Sequence, residues 1–281
     1  MTDSESSKRC VLPGGETVPA LGQGTWRMAE DRRKRRDEIT ALQVGLDLGL
    51  TLIDTAEMYA DGAAEELVGE AIEGRRDEVF LVSKVYPHNA TLKGTVDACE
   101  RSLYRLRTGH LDLYLLHWRG SVPLEETFAA FEKLKHDGKI RHYGVSNFDV
   151  SDLEEAFRLP RLPAIAANQI LYNLMRRGPE FDLLPCCEIE GIPIMAYSPV
   201  EQGRLLSRLK GLANRRGVTP AQLALAWLLQ RPETIVIPKA GNAAHVRENH
   251  AALALHVGVE DLVELNRLFP PPQSKAPLEM L

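Results

Sequence analysis

From Thr51 to about Ala252, two kinds of segment alternate. One kind is a short apolar run with no polar face: VFLVS (Val79 to Ser83), LDLYLLH (Leu111 to His117), YGVS (Tyr143 to Ser146), PIMAYS (Pro193 to Ser198) and TIVIP (Thr234 to Pro238). Strands buried on both faces have this pattern, as in a parallel sheet covered by helices. In the other kind, apolar residues return every three or four positions. Beyond Asp37, the residues Ile39, Leu42 and Leu46 share one helical face, and Gly49 supplies a residue tolerant of positive φ at the end. Val96, Cys99, Leu103 and Leu106 repeat the stripe. A further helix is expected to open at Pro123, run through Leu124, Phe128 and Phe131, and stop at Gly138.

The strand-like runs begin about every 25 to 40 residues, the length of a βα unit. Seven from Thr51 onward, with one near Leu21 to Trp26, make eight. No Ser/Gly linker or change of composition divides them. The expectation is a single domain over 1–281 of the α/β class, a (β/α)8 TIM barrel. VLPGGETVPAL, with Gly14-Gly15 at its turn, predicts an N-terminal β-hairpin. PPPQSKAPLEML, from Pro270, predicts an extended C-terminal tail on the surface. The rival α/β fold, a dinucleotide-binding sheet, needs G-x-G-x-x-G between strand and helix. Gly22 and Gly24 begin that motif, but Arg27 stands in its third place, and no GxxxxGK[ST] occurs. Any nucleotide would be held by another design.

Composition narrows the function. The 281 residues are 44% hydrophobic and 26% charged, ordinary for a globular protein whose core needs no disulfide or metal. A net charge of −5 argues against a nucleic-acid surface. The local run Arg32, Arg33, Lys34, Arg35, Arg36 is expected to be a solvated loop and first helical turn. Cys10, Cys99, Cys186 and Cys187 lack metal spacing and are expected to be free thiols, with Cys186 and Cys187 on a helix. MTDSESSKR has no apolar core for a signal peptide, and no run reaches the ~18 apolar residues of a membrane span. These features point to a cytoplasmic protein that engages neither membrane nor nucleic acid.

Chemistry collects at the ends of the strand-like runs. Asp54, Lys84 and His117 each close one, Tyr59 follows Asp54 by five residues, and Ser146 and Asn147 end another. In a parallel barrel all these ends share one face. Tyrosine, with a pKa near 10, is a poor proton carrier at neutrality. A neighbouring lysine ammonium is expected to lower that pKa, and a carboxylate to keep the lysine charged and placed. With His117 to orient an oxygen by hydrogen bonding, the set suits a proton relay to a polarised carbonyl, the reducing equivalent coming from a cofactor. It contains no activated nucleophile and no metal cluster. Singly, each residue has a plainer role: Asp54 a helix cap, Lys84 a solvated end, His117 a satisfied core histidine, Tyr59 a core cover. Their coincidence at successive strand ends favours the relay.

These segments resemble the aldo-keto reductase family, and within it the bacterial reductases of methylglyoxal and small aldehydes. GLTLIDTAEMY is similar to the family's GxxxIDTAxxY motif, VSK to its lysine segment, and LLHW to its histidine segment. GKIRHYGVSNF resembles its GKxRxxGVSNF stretch, and AANQI (Ala166 to Ile170), AYSP (Ala196 to Pro199) and IPKA (Ile237 to Ala240) its later cofactor segments. The resemblance implies Asp54, Tyr59, Lys84 and His117 as the catalytic set, with Tyr59 giving its proton to a small carbonyl substrate. It implies NADPH as cofactor. The nicotinamide would lie against Tyr197, beside Ser198, its carboxamide held by Ser146, Asn147 and Gln169. Gly24 and Thr25 would lie near the cofactor, as would Asp54. Lys239 and His245 would meet the 2′-phosphate, and Glu248 and Asn249 the adenine end. Trp26 and Trp118 would wall the substrate site, with Tyr59 and His117. The stretch from Val200 to Ser207, with Gln202, Gly203 and Arg204, is expected to fold over the cofactor pyrophosphate.

Three positions depart from the pattern. His245 replaces a common arginine, and Ala240 the usual serine, so preference for NADPH over NADH rests on Lys239. Only RGSV separates Trp118 from Pro123, which implies an open pocket tolerant of small aldehydes. A nucleotide-binding subunit with slow turnover, and a barrel isomerase or hydrolase built on Asp54 and Glu57, remain alternatives. Without coiled-coil heptads, a monomer is the default.

Overall fold

A computed structural model describes residues 8–160 and 164–281. Strands β1 (Arg9–Val11) and β2 (Thr17–Pro19) pair antiparallel around Gly14 and Gly15, both at positive φ, as the Gly-Gly turn predicts. The next eight strands are β3 (Gln23–Gly24), β4 (Leu52–Asp54), β5 (Phe80–Val85), β6 (Leu111–Leu116), β7 (Ile140–Ser146), β8 (Ile165–Leu171), β9 (Ile194–Tyr197) and β10 (Thr234–Val236). They are parallel and neighbour one another in chain order. Gly22 N–H donates to the Val236 carbonyl (2.9 Å), Val236 N–H to Ala20 (2.7 Å) and Gly24 N–H to Pro238 (3.0 Å). These bonds join the last strand to the first and close a (β/α)8 barrel. β3 is shorter than the run from Leu21 to Trp26 suggests, because much of that run's backbone is spent on closure.

Helices α1 (Arg35–Asp47), α2 (Ala63–Ala71), α3 (Leu92–Leu106), α4 (Leu124–His136), α5 (Val150–Phe157), α6 (Leu183–Ile189), α7 (Leu206–Arg216), α8 (Pro220–Leu228), α9 (Ala243–Ala251) and α10 (Val259–Leu268) complete the elements. The basic run forms a short turn and the start of α1, and Cys186 and Cys187 lie on α6, both as expected. Pro123 precedes α4 rather than opening it: its ψ of 133° is extended, and Leu124 is the first helical residue.

Strand residues alternate between two apolar layers, the two-residue period of extended chain. Ile53, Leu81, Val85, Tyr114 and Leu116 face the helices. Leu52, Val82, Leu113, Leu115, Met195 and Ile235 fill the barrel, joined by Cys10, Leu12 and Val18 of the hairpin. The hairpin is fastened to the starts of strands: Glu233, just before β10, accepts from Val11 N–H at 3.1 Å, and Glu16 binds Arg141 and His142 of β7 at 2.8 and 2.7 Å. It therefore stops the N-terminal mouth and leaves the other open. Among the described residues, no helix is long and apolar enough to cross a membrane.

Candidate active site

The inward phase that places Leu52 and Val82 inside the barrel also places Asp54 and Lys84 there, one step nearer the open mouth. Sequence alternation thus delivers the charged pair to the site. Lys84, wholly buried, donates to Asp54 Oδ2 (2.8 Å), to the Thr55 carbonyl (2.8 Å) and to the Tyr59 hydroxyl (3.3 Å). Its three N–H groups are spent on these three acceptors. Asp54 Oδ1 accepts from Gln169 Nε2 at 2.8 Å, so both carboxylate oxygens are engaged. His117 is 8% exposed, its ring centred 5.8 Å from that of Tyr59 and set edge-on to it, and its Nδ1 has no hydrogen-bond partner. Three of the four plainer roles fail: the Asp54 carboxylate is taken up by Lys84 and Gln169, Lys84 is not solvated, and His117 Nδ1 is not satisfied.

Burial dominates the electrostatics. It pushes the Tyr59 hydroxyl well above the usual tyrosine range, and the Asp54 charge pushes it further. The expected lowering by lysine is therefore overturned: Asp54 neutralises much of Lys84, and little solvent remains to stabilise a phenolate. Tyr59 is held as a protonated phenol. Burial lowers Lys84 while Asp54 opposes the fall. His117 is driven well below the ordinary histidine value, by burial first and the Lys84 charge second, so its imidazole is neutral.

A cleft of about 630 Å³ opens above this cluster. It is lined by Gly24, Trp26, Asp54, Tyr59, His117, Trp118, Ser146, Asn147, Gln169, Tyr197, Ser198, Lys239 and His245, all singled out in the sequence. Thr25, Glu248 and Asn249 are not among its lining. Thr25 is fully buried and donates to the Asp54 carbonyl at 2.9 Å, while Asn249 borders a separate small crevice behind Gly24, Pro238 and Ala240. Asn147, at φ 58°, donates to the carbonyl of His117 (3.1 Å) and accepts from the Tyr197 hydroxyl (3.0 Å). Asp149 caps α5. Glu57 turns away from the cleft, accepting from Tyr86 N–H (2.7 Å) and Asn89 Nδ2 (3.0 Å), so Asp54 and Glu57 form no catalytic carboxylate pair.

Several residues had no signal in the sequence. The tail is extended as expected, but Met280 and Leu281 line the cleft. Glu279 pairs with Arg176, which also holds the buried Glu201 carboxylate at 2.9 Å. Burial alone would raise Glu201; Arg176 and Asn173 outweigh it and hold the carboxyl low. Glu201 itself belongs to the turn after β9, in the stretch expected to fold over the cofactor; its neighbours Val200, Gln202 and Gly203 line the cleft. Behind Tyr59, Ala60 (φ 48°), Asp61 (φ 52°) and Gly62 (φ 92°) are all in the left-handed region. Gly62 fits closely against Arg105, which binds Glu65 (2.6 Å), which in turn accepts from Ser83 Oγ (2.6 Å). The turn carrying Tyr59 and the strand carrying Lys84 are thereby tied together outside the barrel.

Fold and site define a class: a parallel-barrel enzyme with a lysine-tethered tyrosine at its open mouth. The chain belongs to the Aldo/keto reductase family, whose sequence profile matches residues 20–268. It is 50% identical to methylglyoxal reductase YeaE of Escherichia coli (strain K12) over 281 residues, covering 98% of this chain and 99% of the relative. It is 34% identical to glyoxal reductase of Bacillus subtilis (strain 168), covering 92% of this chain and 91% of that protein. Among solved structures, an aldo/keto reductase from Klebsiella pneumoniae in complex with NADP and acetate superimposes with a TM-score of 0.95 at 49% identity, covering 98% of this chain and all of that one.

Proposed function

We propose that the protein reduces small aldehydes and ketoaldehydes, methylglyoxal among them, to alcohols with NADPH, working as a monomer in the cytoplasm. The observation that carries this reading is the chain Asp54–Lys84–Tyr59, closed by bonds of 2.8 and 3.3 Å at the floor of a cleft walled by His117, Trp26 and Trp118. The donor set suits the cofactor. At one end stands a protonated phenol beside a neutral imidazole. At the other, the Lys239 ammonium lines the cleft without donating a hydrogen bond among the described residues.

When bound, NADPH supplies the hydride to the carbonyl carbon. Tyr59 and His117 hydrogen-bond the carbonyl oxygen, and Tyr59 passes over its proton as negative charge builds there. Lys84 stabilises the phenolate left behind, and Asp54 fixes the lysine in place. Tyr197, Asn147, Ser146 and Gln169 are the residues that would hold the nicotinamide end, with Ser198 beside them. Gly24 and Thr25 would flank the cofactor, Lys239 and His245 would meet the 2′-phosphate, and Glu248 and Asn249 the adenine end. Lys239 gives NADPH the advantage over NADH. The short segment after Trp118 and the Met280–Leu281 wall leave room for small substrates.

The test is consumption of NADPH with methylglyoxal by the wild type and Tyr59→Phe in parallel, with NADPH affinity measured separately. The reading requires turnover in the wild type, and loss of it in the variant at nearly unchanged affinity. A wild type that binds NADPH but turns nothing over would instead support the binding-subunit alternative.

A further inference from the structure

At the cleft end remote from Tyr59, three segments meet around one buried carboxylate. Glu38, in the first turn of α1, is 2% exposed. Its Oε2 accepts the N–H of Ala29 at 2.9 Å, and its Oε1 lies 4.0 Å from Lys239 Nζ. Ala29 has a φ of 64°, a conformation that disfavours any residue with a Cβ, so the bond steadies a strained turn directly after Trp26 and Arg27 of the cleft wall. Lys239 folds back over Gly241, where a Cβ would come within 2.9 Å of the ammonium and 3.8 Å of Glu38. The packing keeps amine and carboxylate close.

Yet 4.0 Å is too long for a hydrogen bond, and Glu38 therefore acts on Lys239 through charge alone. The ammonium keeps its N–H groups for an anion, but that anion must bind near a buried negative charge. We propose that Glu38 sets nucleotide discrimination: its carboxylate beside Lys239 restrains the site's preference for the nucleotide with the additional phosphate, while its bond to Ala29 serves both nucleotides alike. The inference rests on Lys239 as the 2′-phosphate ligand.

Glu38→Gln separates the two roles, since the amide oxygen can still accept from Ala29 while the charge is gone. Dissociation constants for NADPH and NADH, read from quenching of tryptophan fluorescence, are the measurement. NADPH should bind about fivefold tighter or more, and NADH should change less than about twofold, with the difference shrinking as salt is added. Equal shifts for both nucleotides, or none, would overturn the proposal and leave Glu38 as a brace for the Ala29 turn. Glu38→Asp, which keeps the charge, should retain wild-type discrimination. Lys239→Met tests the reading beneath: it should weaken NADPH about tenfold and leave NADH unchanged. An unchanged NADPH/NADH ratio in that variant would remove Lys239 as the phosphate ligand, whatever Glu38→Gln does.

Discussion

The two ends of the cleft are built on different principles. At the reacting end, Asp54, Lys84, His117 and Gln169 project from barrel strands or their immediate ends, none more than 8% exposed, and Asp54 and Lys84 are joined by a 2.8 Å bond. At the far end, Lys239 follows a strand, its side chain 36% exposed, and its nearest carboxylate is 4.0 Å away. His245 lies on the outer helix α9 and is exposed. Hydrogen-bonded rigidity suits proton transfer, where a displacement of an ångström is costly. Nucleotide choice, as proposed, rests on longer-range charge, which tolerates movement. The reacting end is thus set by the barrel strands, and the far end by the segments around them.

The comparison breaks most readily at Tyr59. Tyr59→Phe should lower kcat by about 10² to 10⁴ with little change in nucleotide affinity, as steady-state kinetics and binding titrations would show. A parallel loss of affinity would mean the two ends are not separable. Lys84→Met leaves Asp54 charged and buried with only Gln169 as partner, and should cost about 3–5 kcal/mol of stability in denaturant unfolding. Adding Asp54→Asn should restore part of that stability and none of the turnover. Such a split would establish that the pair is kept for its chemistry.

A pH series sharpens the contrast. His117 is depressed well below 6.5, so below that pH the unfolded chain takes up a proton that the folded chain refuses. Stability contributed by the neutral imidazole is present above the unfolded value and is lost as pH falls from about 6.5 toward the folded value, by up to ~1.4 kcal/mol per pH unit. Denaturant midpoints should fall over that range in the wild type and less steeply in His117→Gln. The smallest effect belongs to the tail. Glu279→Gln breaks a half-exposed ion pair worth about 0.2–1 kcal/mol. It should raise KM for the carbonyl substrate while leaving nucleotide affinity alone; a change in nucleotide affinity would instead tie the tail to the Glu201 turn.

The same contrast governs how much could be anticipated from the sequence. Strand runs, helix stripes, the Gly-Gly hairpin and the residues at strand ends are local patterns, and along a strand alternation carries each side chain inward or outward without reference to the rest of the fold. Glu38, Glu65, Arg176 and Met280 have no such signature. Their roles come from contacts between segments distant along the chain, such as Glu279 with Arg176, which no period records. The Tyr59 shift runs opposite to the expectation for a related reason: the sequence names the charged neighbours but not the depth at which they are buried. Pro123 fell one place outside its helix because a proline fits both the cap and the first turn.

The turn behind Tyr59 has a consequence for how this protein could be altered. Ala60 and Asp61 sit in a backbone conformation that costs a non-glycine residue of order 1 kcal/mol or more each. Selection for heat resistance alone would find Ala60→Gly an available gain, since glycine occupies that region freely. The same exchange would grant Tyr59 a freedom of movement that works against the Arg105–Glu65–Ser83 tie. Thermal hardiness and turnover are thus opposed at a single residue, and a stabilised variant that runs slowly should be examined first at position 60.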